Sequence, residues 1–502
     1  MPRIKFSPAG QNWRHFGGLL TSIFGLSLPL LRAAPERPAF RAGAATSNIT
    51  PAMNVPLDGT FRATGPAQHV HDELHARCLV LDDGTERFAF VVCDSTMIAS
   101  FVIERAKALI AKQSQLPPDR VLISATHSHS TPRARDIGDE PAHHAYLDFV
   151  ARRIADGVQR AIHNLAPARI GWGSVAKPEY LHNRRWIVEA SAARANPYGV
   201  SGETVVTNPG RGHDGLIRPS GPIDPEISVL SLRHADGRPL AVLASYGLHY
   251  VGGIPAGTVS ADYFGVFCDR MRELLGTEGQ EPPFVGLMAN GTSGDVNMLD
   301  PRGAVRERAK PFERMTAVAH DLAAAVSQVC WEIPYRDSVS LAMRQAILPL
   351  RIRKPDAARL RWAKTLHAYG QAKAAAGQPL TRPEAYAREA MRLAEMPAVV
   401  NLPLQAIRIG DFAVTAIPTE VFAVTGLALK RESPFAMTMN IALANGYFGY
   451  LPTPQQHELG GYETWDTRSN SLEVGAEPAI REAVLALLRT LPQPANPGAN
   501  GD

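Results

Sequence analysis

Cysteine is scarce in this chain. Its 502 residues include four, Cys78, Cys93, Cys268 and Cys330, and no two are spaced as CxxC. A thiolate zinc site is therefore not supported. Cys78 and Cys93 fall in apolar, strand-like runs, where a thiol packs as a small hydrophobe. A core of this size does not depend on disulfides. Excess charge is also small. The formal net charge is +4, with no Lys/Arg block, which argues against a nucleic-acid partner. The apolar stretch GGLLTSIFGLSLPLL at residues 17–31 is short of the roughly 20 residues of a membrane span. Arg3, Lys5 and Arg14 precede it and RAAPERP follows, the pattern of a secretory signal. We expect residues 1–34 to direct export to the periplasm or exterior. No cysteine follows directly, so lipid attachment is unsupported. There is no internal repeat and no long linker.

What remains is ordinary globular composition, 45% hydrophobic and 20% charged residues. Strand–turn–strand units recur. ARCLVL and RFAFVVCD flank DDGTE, EISVLSLRH and LAVLASYGLHY flank ADGRP, and LQAIRI and FAVTAIPTE flank GD. Each is a hairpin signal. Between them FVIERAKALIAK, YLDFVARRIADGVQRAIHNL and RMTAVAHDLAAAVSQV repeat apolar residues at helical spacing. Residues 355–397 read as two helices broken near GQPLTRP, and PAIREAVLALLRTL as the last helix. The expected fold is mixed α/β of α+β character. It is a single large domain, 35–490, of mixed and antiparallel sheets flanked by helices. Residues 491–502 read as a disordered tail.

The chemistry-bearing residues gather where apolar strands end. ISATHSHSTP, residues 123–132, closes one such run with His127 and His129. Residues i and i+2 of a strand share a face, so the two imidazoles project together if the strand extends that far. Asp94 follows RFAFVVC, His249 follows AVLASYGL, Glu420 follows FAVTAIPT, and Tyr450 closes MTMNIALANGYFGY. Each has an ordinary structural role open to it: a turn or cap residue, a core histidine, a helix N-terminal carboxylate, a packed ring. Together, histidines, a carboxylate and a tyrosine on one rim suit a cation such as zinc, which takes imidazole nitrogen and carboxylate oxygen. In GLMANGTSGDVNMLD, residues 286–300, an apolar run leads into a glycine-rich turn whose amides could approach a ligand.

In order, SATHSHSTP, HNRR at 182–185, LHYVGG with VSADYFG, NGTSGDVN, IPTEVF, and NGYFGYLPT with GGYE resemble the neutral/alkaline, non-lysosomal ceramidases from about Gly43 to the last helix. That resemblance implies a zinc-dependent hydrolase of acyl amides. It implies that His127, His249, Glu420 and Tyr450 hold one zinc ion per chain. It implies that His129 is a catalytic histidine beside the metal, that Arg184 lies near the substrate amide, and that Tyr462 helps polarise the carbonyl. Asn297 stands where the family places a nucleophilic serine, and an amide can donate a hydrogen bond to an oxyanion but cannot attack. The family's THTHSGPGG reads THSHSTPRA here, and the family's C-terminal immunoglobulin-like domain does not follow. The implied reaction is cleavage of ceramide or a related N-acyl compound by metal-activated water. The alternative is an exported lipid- or glycan-binding protein that has lost catalysis. The partners expected are a small-molecule or lipid substrate and peripheral membrane lipid, with no protein partner. The hairpins argue against an amidohydrolase barrel, which needs a regular (β/α)₈ pattern. The absence of Asp-His after HSH argues against a metallo-β-lactamase.

Overall fold

In the structure, a computed structural model, residues 39–59, 65–135, 141–303, 309–376 and 378–492 are described. The expected export signal lies outside them, as does all of the expected tail beyond residue 492. Residues 38–502 form one unit. Among the described residues no helix is long and apolar enough to cross a membrane.

Two sheets carry the fold. The first comprises β1 (Arg41–Asn48), β2 (His75–Asp82), β3 (Arg87–Cys93), β4 (Val121–Ala125), β5 (Ala166–Ala176), β6 (Glu226–His234), β7 (Pro239–Tyr246) and β8 (Val285–Asn290), in the order β8-β7-β6-β5-β1-β2-β3-β4. The second comprises β9 (Leu341–Arg351), β10 (Val399–Ile409), β11 (Phe412–Ala416) and β12 (Met437–Ile441), in sequence order. All three expected hairpins form, as β2–β3, β6–β7 and β10–β11. Each is followed by a helix and then a parallel strand. The helices are α1 (Ser100–Ser114), α3 (Asp262–Leu274) and α7 (Ala423–Glu432), and the parallel pairs are β3–β4, β7–β8 and β11–β12. A parallel neighbour needs a crossover, which the helix supplies.

Period-2 alternation places these strands between two apolar layers. In β3, Phe88, Phe90 and Val92 face Phe412, Val414 and Met439 of the second sheet. Ala89, Val91 and Cys93 face α1 and α2 (Pro141–His163). The β6–β8 half of the sheet is covered by α3 and α4 (Glu313–Glu332). The outer face of the second sheet is covered by α8 (Ala476–Thr490). The layers therefore run helix, sheet, sheet, helix. All four cysteines are free and buried, and Cys78 and Cys93 pack in the core beneath α2. The segment 355–397 forms a pair, α5 (Ala357–Ala375) and α6 (Arg382–Glu395), and Thr381 and Glu384 form a capping box at the start of α6.

The chain after β12 joins the sheets. Ala442 N donates to Asn290 O of β8, Asn445 N to Ile123 O of β4, and Ala125 N to Leu443 O. β4 and β8 are the two edges of the first sheet, so this segment satisfies polar groups an open edge would expose. It also draws the carboxyl ends of β4, β8 and β12 together. In open α/β sheets such ends are where ligands bind.

Candidate metal centre

β4 ends at Ala125, two residues before the first histidine. The pair is therefore not presented by a strand pleat. His127 has a left-handed backbone, φ +72°, and the turn, not the strand period, makes the rings converge. Nε2 of His129 lies 3.3 Å from Nε2 of His127. His249, three residues past β7, brings its ring to 4.4 Å from that of His127. Ligand nitrogens of His127, His129 and His249 all lie within 4.8 Å of one another. Glu420 Oε2 is 3.2 Å from His127 Nε2.

Backbone carbonyls fix the tautomers. Nδ1 of His127 contacts Thr96 O at 2.6 Å, and Nδ1 of His249 contacts Ser293 O at 3.1 Å. A carbonyl only accepts, so each Nδ1 carries the proton and each Nε2 presents a lone pair. Burial first, with neighbouring His127 and the Arg184 charge adding to it, holds the His249 imidazole far below its ordinary pKa. Burial and His127 do the same to His129. Tyr447 donates to Glu420 Oε1 at 2.9 Å. Oε2 of Glu420 and Nε2 of His249 are buried without a hydrogen-bond partner. The three histidines thus form one buried cluster, and Glu420 Oε2 reaches it at His127. Such a convergence of acceptors suits a cation, and nitrogen with carboxylate oxygen suits zinc.

The expected fourth ligand shares a face with the third. Glu420 and Tyr450 pair in register in a two-stranded parallel ladder. Burial, with the Glu420 carboxylate adding to it against Arg184, keeps the Tyr450 phenol protonated. Arg184 hydrogen-bonds Tyr450 and lies over its ring, 5.1 Å from the centroid. Arg184 Nε donates to Glu463 at 2.8 Å, while its Nη2 is buried without a partner. Tyr462 packs edge-on against Tyr450, with centroids 5.7 Å apart.

Asn297 is placed differently. Its Nδ2 donates to Asn208 at 2.5 Å and its Oδ1 accepts from Leu299 N. Among the described residues no hydrogen bond ties its amide to the histidines. Asp94, at the end of β3, is diverted into a buried ion pair with Arg77 at 2.5 Å. Its role is structural, though as a buried ion-pair partner and not as the turn or cap residue that its position suggested. The glycine-rich turn also departs from expectation. A Cβ at Gly294 would overlap the carbonyl of Glu420, and one at Gly291 would press on Tyr246. These glycines let backbone approach the strand ends that carry the site.

Sequence reasoning missed several supports. Ser293 stands behind His249 through its carbonyl. Thr96 plays the same part for His127, and the Tyr447 hydroxyl supports Glu420 by donating to it. Gly59, φ +110°, passes so close that a Cβ there would lie 2.5 Å from His129 Cβ, although the expected neighbours of His129 have lost the family's glycines. Glu463 bridges Arg184 and Arg185, and Asp295 bonds Asn183 and the first amide of α7. Burial pushes the Asp295 carboxyl up to about 6. Only Glu463 carried a local signal, in GGYE.

Fold and site together define a mixed α/β protein with a buried histidine–carboxylate centre at converging strand ends. The chain belongs to the neutral/alkaline non-lysosomal ceramidase family, whose N-terminal domain matches residues 40–304. Its fold is similar to that of neutral ceramidase from Pseudomonas aeruginosa, at 19% identity and TM-score 0.63, over 91% of this chain and 76% of that one. It is also similar to a ceramidase complexed with C2, at 17% identity and TM-score 0.62, over 93% and 77%.

Proposed function

We propose that this protein is a zinc-dependent hydrolase that cleaves an acyl amide, ceramide or a related N-acyl compound. The observation that carries the reading is the buried cluster of His127, His129 and His249 with Glu420 Oε2 3.2 Å from His127 Nε2. His127, His249 and Glu420 would hold the ion, with Tyr450 beside them. A zinc ion there would lower the pKa of a water to about 7 and polarise the scissile carbonyl. The remaining work falls to the chain. His129, neutral and adjacent to His127, accepts the proton of the attacking water and returns it to the leaving amine. Arg184, with a free buried Nη2, and Tyr462 donate to the oxygen on which charge develops. Asn297, its amide engaged by Asn208, supports the loop at Asn208 and does not attack, so no covalent acyl-enzyme forms. The N-terminal basic–apolar segment supports export, and the substrate class supports peripheral lipid contact.

The test is hydrolysis of ceramide and simpler N-acyl amides by protein stripped of metal and reloaded with zinc. Turnover restored by zinc, with no acyl adduct under slow substrate, is expected. Bound zinc without turnover would leave a binding protein, and a trapped adduct would sink the direct-water route. Tyr447→Phe probes the support of the metal ligand. Freeing Glu420 Oε1 should weaken zinc about 10- to 100-fold, as loss of an outer hydrogen bond to a ligand does. Chelator competition reads this directly, and unchanged affinity would remove Tyr447 from the site.

A further inference from the structure

Beside Tyr462 lies a cavity of about 270 Å³. Its lining includes Arg194, Glu203, Asn208, Arg382, Tyr462 and Trp465. Two of its lining residues, Tyr462 and Asn208, adjoin residues of the candidate centre. Tyr462 packs on Tyr450, and Asn208 N donates to Arg184 O at 2.7 Å. The volume falls just below the ~300–1,000 Å³ of pockets that enclose drug-sized ligands, so it accommodates a small group.

The charges in it are unequal in availability. Glu203 is fully engaged. Trp465 Nε1 donates to both its oxygens at 2.9 Å, Asn196 Nδ2 donates to Oε1, and Gly461 N donates to Oε2. That carboxylate holds the Gly461–Trp465 segment, and hence Tyr462, in place. Arg382 is stacked on the indole of Trp465, 4.5 Å from its centroid. Stacking pre-organises the guanidinium and leaves its donors facing outward. Among the described residues, neither Arg382 nor Arg194 makes an ion pair or a hydrogen bond. Two uncommitted cations against one committed anion leave the lining net positive.

Resting on the hydrolase reading above, we propose that this cavity binds a carboxylate on the amine portion of the substrate, so that the enzyme's preferred N-acyl compounds are N-acyl amino acids or similar acids. Guanidinium groups recognise carboxylates through paired, charge-assisted hydrogen bonds. The cavity's position one residue from Arg184 and one ring from Tyr450 suits an acid close to the scissile nitrogen.

The test compares N-lauroylglycine with N-lauroylethanolamine, equal in acyl chain and differing in charge, on zinc-loaded enzyme. Wild type should favour the acid in kcat/KM by at least about tenfold, the scale of one charge-assisted hydrogen bond. The preference should collapse in Arg194→Gln/Arg382→Gln, chiefly through KM, and shrink with added salt. Absence of a preference in wild type, or its survival in the double variant, overturns the proposal. If neither compound turns over, binding is followed by tryptophan fluorescence, since Trp465 lines the cavity. Acid-selective binding lost in the double variant would retain the carboxylate site and reject the hydrolase reading. Unselective binding, or none, would reject the site.

Discussion

His127→Ala should reduce bound zinc from about one ion per chain, the count of a single catalytic site, to none, and turnover with it. His127 sits at the centre of the cluster: its Nε2 is 3.2 Å from Glu420 Oε2 and 3.3 Å from His129 Nε2. Its loss leaves the proposed ligands His249 and Glu420 without the residue both adjoin. The fold should survive, because the deletion leaves the strands untouched and costs one buried hydrogen bond, to Thr96 O, worth about 1–3 kcal/mol. The contrast therefore lies in response to metal. Zinc at a hundred times its dissociation constant should stabilise the wild type by about 2.7 kcal/mol and leave the variant unmoved. Thermal unfolding with and without zinc, beside elemental analysis, reads both effects. Metal-dependent stabilisation in the variant would remove His127 from the ligand set.

Glu463→Ala should be the most damaging single change away from the metal. Glu463 is fully buried and pairs with Arg184 at 2.8 Å and Arg185 at 2.6 Å, with Thr207 donating to it at 2.7 Å. Arg185 keeps Gln456 and the carbonyl of Gly460, but Arg184 loses the carboxylate that its Nε bonds. Breaking a buried pair by removing one partner costs about 3–5 kcal/mol. Arg184 also loses the contact that aims it, so catalysis should fall in Glu463→Gln as well, which retains volume and more of the stability. Burial raises the Glu463 pKa, but the two guanidinium groups outweigh it and hold the carboxyl below its ordinary range. A lowered pKa in the folded state means the unfolded chain binds the proton first as pH falls. The contribution is then fully present above the unfolded value of about 4.3 and is lost as pH drops through the folded value. Urea midpoints for wild type should fall more steeply below that pH than for Glu463→Gln. Parallel curves would show that the carboxylate is not ionised in the folded protein.

Much of this architecture is written locally. Alternation in RFAFVVC sets Phe88 and Phe90 on one face and Ala89 and Val91 on the other, and both faces are buried as the pattern requires. The short Gly/Asp turns mark the three hairpins, and helical spacing marks α1, α2, α4 and the 355–397 pair. Local pattern encodes which face is apolar, and hence where strands and helices begin and end. Candidate ligands were legible for the same reason, since a reactive residue following an apolar strand is a local event. The ordered motifs of the family then supplied Arg184 and Tyr462, which no periodicity marks.

Tertiary structure decided the rest. Asp94 has the same local signature as Glu420, yet one is neutralised by Arg77 and the other faces His127. The difference lies in the partner each meets, and partners are distant in the chain: Arg184 and Glu463 are 279 residues apart. The histidine pair converges through a left-handed turn at His127, where a strand pleat was expected. Thr96 and Ser293 act through carbonyl oxygens, which every residue possesses, so their identity carries no signal. Gly59 and Gly294 are glycines because other segments pass where a Cβ would stand. Sequence by itself determined the elements, their buried faces and the residue types at their ends. Only the packed chain determined which ends meet, because that depends on contacts between segments far apart, which local periodicity does not encode.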